Sequence, residues 1–184
     1  GSIVLSNMDL HREARPFVEA LSRISGHVVH LAVFDGFQAV VIHRTDPMPE
    51  SARLAIIENA PVHCTSVGKA ILAFQPQAVL DRVATSGLKR FTESTIVDPA
   101  KLARELARTR TRGYALDEGE HQPGLRCIGA PIRDQTGRIF AGVSISGPSW
   151  KLPAGDVKSL AQVVMHHAAG ISAKLGYVVG DRSG

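Results

Sequence analysis

The sequence has little cysteine, little aromatic area and no long apolar run. Its 184 residues hold two cysteines, Cys64 and Cys127, with no CxxC spacing and no dense disulfide frame. That excludes a small secreted scaffold held by bridges. With no charged-then-apolar leader, both thiols are expected to be reduced in a cytoplasmic protein. No apolar stretch is long enough to cross a bilayer, so a membrane span is not expected. One Trp, two Tyr and six Phe leave no basic surface interleaved with aromatics of the kind that binds nucleic acid. Blocks of like charge are equally scarce. The formal net charge is +4 and the pI is about 9.4. The one basic cluster, Lys101, Arg104, Arg108, Arg110 and Arg112, falls on the polar side and C-terminal end of a predicted helix, where cations suit the helix dipole. A solvated helix face accounts for it better than a nucleic-acid footprint.

What is present is ordinary globular material. Hydrophobic residues make up 44% and charged residues 21%, the balance of one domain large enough to bury a core. Gly1-Ser2 reads as the remnant of a cleaved tag. Residues 9–25 predict a helix, interrupted or restarted near Pro16, with Phe17, Leu21 and Ile24 at helical spacing and Gly26 closing it. Residues 27–34 and 37–44 read as strands joined at Asp35-Gly36, and both faces of that hairpin are apolar enough to lie inside a sheet. Short helices follow over 66–75 and 77–86. Asp98 caps another, with Pro99 in its first turn, Leu102 and Leu106 on one face and Gly113 at its end. Residues 125–134 and 138–147 form a second hairpin. A long helix over 153–175 turns Val157, Leu160, Val164, Ala168, Ile171 and Leu175 inward. The fold class is α+β, an antiparallel sheet with helices packed on its faces.

The second hairpin predicts a site. A turn at Asp134-Gln135-Thr136-Gly137 pairs Cys127 with Ser144, Leu125 with Ser146 and Gly129 with Gly142. Side chains alternate along a strand, so these six share one face. The opposite face carries Ile128, Ala130, Ile132, Ile139, Ala141, Val143 and Ile145, and is expected to be dry against helix 153–175. The first face is small and partly polar. Covered by another layer, it leaves a cavity with hydroxyls in its floor, the form of a ligand pocket. Left uncovered, Ser144 and Ser146 face water. The segment from His63 to Ala70 is no phosphate loop, because Ala70 follows Lys69 where Ser or Thr is required. It is a helix start with Thr65 or Ser66 as cap, and the free N–H groups beyond it suit a carboxylate or phosphate.

Other chemistries are less well supported. His63, Cys64, His121 and Cys127 show no HExxH pattern and no close ligand pairs, so neither metal nor cofactor is expected. His121 reads as a hydrogen-bonding loop residue. His27 and His30, on one strand, point to opposite faces, and one of His166 and His167 must face outward. An enzyme with Cys127 as nucleophile and His121 or His63 as base is the competing class. Mid-strand, Cys127 lacks the surroundings that make a thiolate. A dimerisation scaffold with a vestigial pocket is the third reading.

Residues 112–132 contain Gly113-Tyr114, Asp117, Glu120-His121 and Gly124-Leu125-Arg126-Cys127. They continue through Gly137 to Ser144-Ile145-Ser146-Gly147-Pro148, with the segment from His63 to Ala70 at the right distance upstream. This pattern resembles the IclR family of bacterial transcription regulators over about residues 10–177. The resemblance implies a GAF-like effector-binding domain over 16–177, preceded over 3–15 by the tail of a linker helix. It implies an N-terminal winged helix-turn-helix lying outside this chain, through which alone operator DNA would be bound. It further implies a homodimer or tetramer that senses a small organic acid. Carried over by position, the ligand-binding residues are Ser66, Val67 and Gly68 as backbone donors, with Asp117, Leu125, Cys127, Ser144 and Ser146 lining the rest. Ser66 and Val67 stand where some members of the family carry smaller residues, which narrows that end.

Overall fold

The computed structural model describes residues 2–47 and 58–180, with side chains from Asp9 onward. Helix α1 (Ser2–Ser25) leads into strands β1 (Val28–Phe34) and β2 (Gln38–Thr45), then the short strand β3 (Asn59–Pro61). Helices α2 (Ser66–Leu72), α3 (Gln77–Thr85) and α4 (Pro99–Arg112) follow. Strands β4 (Ala115–Glu118), β5 (Leu125–Arg133) and β6 (Ile139–Pro148) come next, and α5 (Val157–Lys174) ends the series. The strands form one six-stranded sheet in the order β3-β2-β1-β6-β5-β4, antiparallel at the hairpins and between β1 and β6. Both hairpins therefore meet at the centre, β1 against β6. This is the α+β arrangement that the pattern predicts, in the GAF-like form that the resemblance implies.

One face of the sheet is dry. Ile128, Ala130, Ile132, Ala141, Val143 and Ile145 pack in one cluster with Leu10, Ala14, Val18 and Leu21 of α1 and with Val164, Ala168 and Ile171 of α5. Helix α1 runs unbroken through Pro16, contrary to the predicted restart. Pro16 is exposed, so the hydrogen bond it forfeits lies on the solvent side, where helix bonds are longest anyway. The buried stripe is Leu10, Ala14, Val18 and Leu21; Ile24 is 63% exposed and Phe17 is half-buried. The inward stripe of α5 is closer to expectation, although Leu160 and Leu175 sit at its partly exposed margin.

The registers differ from the predicted ones. In the first hairpin Phe34 pairs with Ala39, so Gly36 and Phe37 form the turn, one residue later than expected. In the second, Cys127 pairs with Ser146, Gly129 with Ser144 and Leu125 with Pro148. The predicted pairing is thus two residues out. Asp134 N–H donates to the Arg138 carbonyl, which leaves residues 135–137 as a three-residue turn with Gly137 at φ 85°. A bulge then adds a second residue, since Ile132 faces Ala141 while Arg133 faces Ile139. Two added residues restore the parity, so Leu125, Cys127, Ser144 and Ser146 remain on one face. Ile139, before the bulge, falls on the opposite side from the one expected and packs with Val67 and Ile71 of α2. Two edge strands, β3 and β4, have no counterpart in the sequence reading; both are short and lie at the sheet margins.

Candidate functional site

The second face of the sheet is covered by α2, and glycine decides how closely. A Cβ on Gly129 would come within 2.6 Å of the Ser66 backbone, and one on Gly142 within 3.1 Å of Val67. Helix α2 therefore lies directly on these two glycines, which are filled positions and not the open floor that the sequence implied. The Thr65 hydroxyl accepts from Gly68 N–H at 3.1 Å and donates to the Pro61 carbonyl at 2.7 Å. It caps the helix and ties it to β3. Gly68 N–H is thereby engaged by Thr65, and Gly68, expected as a ligand donor, is not among the residues that line the cavity described below. Ser66 and Val67 remain as first-turn N–H groups without an intrahelical acceptor.

Beyond this helix start the covering layer is incomplete and a cavity opens. Its lining includes Ser66, Val67, Asp117, Leu125, Cys127, Ser144 and Ser146, all of them expected from the sequence. It also includes His30, His121 and Gln122, which were not. The space it offers is about 30 Å³, far below the roughly 300–1,000 Å³ of an occupied small-molecule site. Residues from the loop after β4, His121 and Gln122, form part of its wall.

Two cross-strand rows set the chemistry. In the first, Asp117, Cys127 and Ser146 stand side by side on β4, β5 and β6. The Cys127 thiol thus stands between the Asp117 carboxylate, which favours its protonated form, and the Ser146 hydroxyl, which opposes that. Burial, with the Asp117 charge added, pushes this thiol far up, away from the thiolate a nucleophile needs. Asp117 also accepts from Glu120 N–H at 2.8 Å. Burial, and then the neighbouring Glu120 carboxylate, push Asp117 up to about 7. In the second row His30 of β1 faces Ser144 of β6. Burial, and then the Arg44 guanidinium, pull His30 down to about 4, so it is neutral at physiological pH.

Two histidine nitrogens are orphaned here. His30 Nε2 and His121 Nδ1 are buried without a hydrogen-bond partner. His121 is thus not the satisfied loop residue the sequence suggested; its ring packs edge-on against Phe91 at 4.7 Å. His63 is a different case, with Nε2 2.8 Å from the Lys89 carbonyl. Cys64 is fully buried, and burial pushes its thiol up to about 12. Among the described residues, no group of three or more His, Cys, Asp or Glu side chains is placed to hold a metal ion. Nor, among them, is any helix long and apolar enough to cross a membrane.

Behind the cavity lies a buried ion pair that the sequence did not reveal. Lys69 has no exposed surface; its Nζ stands 2.8 Å from both Glu120 oxygens and 2.6 Å from the Leu116 carbonyl. It fastens α2 to the loop that carries His121. Glu105 of α4 lies 4.0 Å from the same ammonium and pairs with Arg108 and Arg112 of the basic cluster. Arg110 donates to the Ala73 carbonyl.

Comparison with known proteins places this geometry. The family model described as bacterial transcriptional regulator IclR C-terminal matches residues 2–173. The HTH-type transcriptional repressor AllR of Klebsiella pneumoniae is 35% identical over 96% of the chain, which spans 65% of that relative's length. The crystal structure of the Thermotoga maritima IclR superposes with a TM-score of 0.87 at 35% identity, covering 96% of this chain and 72% of that one. An IclR homologue from Microbacterium hydrocarbonoxydans, solved in complex with 4-hydroxybenzoate, gives a TM-score of 0.81 at 27% identity, covering 91% of this chain and 68% of that one. The chain belongs to the family of bacterial IclR-type transcriptional regulators, as their C-terminal domain.

Proposed function

We propose that this chain is the effector-sensing part of a transcriptional regulator, and that a small organic carboxylate occupies the cavity. The observation that carries this reading is a cavity with a few converging polar groups, on a sheet whose other face is packed at its centre by an apolar cluster. Hydroxyls from Ser144 and Ser146, the Cys127–Asp117 pair and the start of α2 converge on it. The homologue bound to 4-hydroxybenzoate supports the ligand class. The carboxylate end is proposed to lie toward Ser66 and Val67, with the rest of the ligand over Leu125, Cys127, Ser144 and Ser146. The cavity's space of about 30 Å³ admits little beyond a water or two. Entry of an acid therefore requires the lining to open. Operator binding is assigned to a helix-turn-helix part of the kind the relatives' names carry, and the assembly to a homodimer or tetramer. The module senses and does not catalyse, in keeping with relatives that are transcriptional regulators and with a Cys127 thiol held protonated.

The test is calorimetric titration of the chain with short monocarboxylates and 4-hydroxybenzoate, repeated on Ser146→Leu, which fills the floor of the cavity. The parent is expected to bind at least one of these acids saturably, with affinity around micromolar, about −8 kcal/mol. The variant is expected to lose about ten-fold or more of it. Equal affinity in a folded Ser146→Leu protein rules this cavity out as the effector site.

A further inference from the structure

We propose that a trough between α3 and α4 is a second ligand site, and that it takes a small amphiphilic anion: an apolar body with one carboxylate, held at Arg110. This site is separate from the cavity on the sheet and does not depend on it.

The trough offers about 480 Å³, against about 30 Å³ in the cavity. That lies within the roughly 300–1,000 Å³ of small-molecule sites, and it is open without any movement of the chain. Leu72, Leu102 and Leu106 are almost fully buried beneath it, while Leu80 and Ala84 of α3 and Ala103 of α4 form its walls. None of its lining residues is shared with the cavity. The two spaces lie at opposite ends of α2: Ser66 and Val67 begin that helix at the cavity, and Leu72 ends it at the trough.

The packing explains why the trough stays open. Helix α4 turns Leu102 and Leu106 toward the end of α2, and α3 meets the same cluster through Val79, Leu80 and Val83. The alanines at 84 and 103 leave unfilled the width that larger side chains would close. Phe74 and Leu80 remain half-buried at its margin, so an apolar body seated there removes their remaining surface from water.

Arg110 decides the kind of ligand. It lines the trough toward the C-terminal end of α4, and its Nη1 donates to the Ala73 carbonyl at 3.0 Å. That bond holds the guanidinium in place without neutralising it. Arg108 and Arg112, on either side of it in sequence, both pair with Glu105. Among the described residues no carboxylate pairs with Arg110. An anchored guanidinium without a counter-ion presents its remaining N–H groups as a fork that matches a carboxylate. Asp81, the one acid of the lining, is exposed on α3 and already accepts from Gln77 Nε2 at 2.8 Å. A cationic head group would meet there only a solvated partner, where an ion pair contributes little.

Octanoate, octanol and octylamine share an apolar chain and differ in the head group, and calorimetric titration of the protein compares them. Octanoate is expected to bind saturably, with a dissociation constant below about 1 mM. It should bind about ten-fold or more tighter than octanol, with octylamine the weakest of the three. Arg110→Gln keeps a donor for the Ala73 carbonyl and should bring octanoate down to the level of octanol. Ala103→Trp fills the trough from an exposed position and should weaken octanoate by about ten-fold or more. The parent protein gives a reading that needs no variant. Methyl resonances of Leu80 and Ala103 should move on adding octanoate, while those of Val67 and Leu125 beside the cavity stay in place. Absence of octanoate binding, octylamine binding as tightly as octanoate, or a preference for octanoate undiminished in folded Arg110→Gln overturns the inference. So do shifts confined to Val67 and Leu125, which would put octanoate in the cavity. Conversion of an oligomer to monomers by Ala103→Trp overturns it as well, since a second copy of the chain would then cover the trough.

Discussion

The two faces of the same sheet are built to opposite rules. Residues alternate along β5 and β6, so neighbours in sequence belong to different environments. On one side Ile128, Ile132, Val143 and Ile145 are buried against α1 and α5 without a polar atom among their side chains. On the other, His30, Asp117, Ser144 and Ser146 are just as thoroughly buried, yet polar. The dry face holds the fold. The polar face gives up packing and leaves hydrogen-bonding capacity unused, which is the arrangement of a surface that waits for a ligand.

The comparison breaks most severely at Lys69, where the polar side depends on a buried charge. Lys69→Met leaves Glu120 without its counter-ion and is expected to destabilise the chain by about 3–5 kcal/mol. Adding Glu120→Gln should recover much of that, as read from urea denaturation of the single and double variants. No recovery would mean that the ammonium matters through the Leu116 carbonyl and not through Glu120.

Adjacent residues give the next contrast. Ile145→Ala removes a fully buried side chain from the dry face and should lower stability by about 2–5 kcal/mol. Ser146→Ala, one position on, removes only a small hydroxyl beside Cys127 and should lower it by about 1 kcal/mol or less. Denaturation midpoints of equal size for the two variants would abolish the distinction between the faces.

The smallest effect concerns pH, and it sharpens the account of the polar face. His30 is depressed from 6.5 to about 4, so between these values the unfolded chain holds more protons. Its contribution to stability is complete above about 6.5 and is lost as pH falls toward 4. Asp117 is raised from 3.8 to about 7, so there the folded chain holds more protons, and its contribution is lost as pH rises through that window. The two slopes oppose each other in the parent. Asp117→Asn should therefore gain stability with rising pH between 4.5 and 6.5 more steeply than the parent, and His30→Gln less steeply, by at most about 1.4 kcal/mol per pH unit. Parallel pH profiles for all three proteins would remove both groups from the balance.

The helices were legible because their signals are local. Asp98 caps α4 with its carboxylate on Ala100 N–H, and Gly113 ends it in the left-handed region. Thr65 caps α2 through Gly68. The polar face of β5 and β6 was also legible, since an error of two residues leaves parity intact. The exact pairing was not, because it depends on a three-residue turn and a bulge whose combined shift no composition announces. His30 was missed for a related reason. Nothing near it in sequence says that β1 lies beside β6, and without that pairing it is a strand histidine like any other.

By itself the sequence determined which elements form, which strand faces are apolar and which residues of the family's pattern gather on the other face. Periodicity, caps and turn residues act over a few positions, and those forces are present in any chain with this order of residues. The tertiary structure alone decided that α2 rests on Gly129 and Gly142, that Lys69 is buried against Glu120, and that His30 Nε2 and His121 Nδ1 are buried without partners. Each of these is a contact between segments far apart in sequence. Whether it satisfies a polar group or leaves it bare depends on distances that only the packed molecule sets.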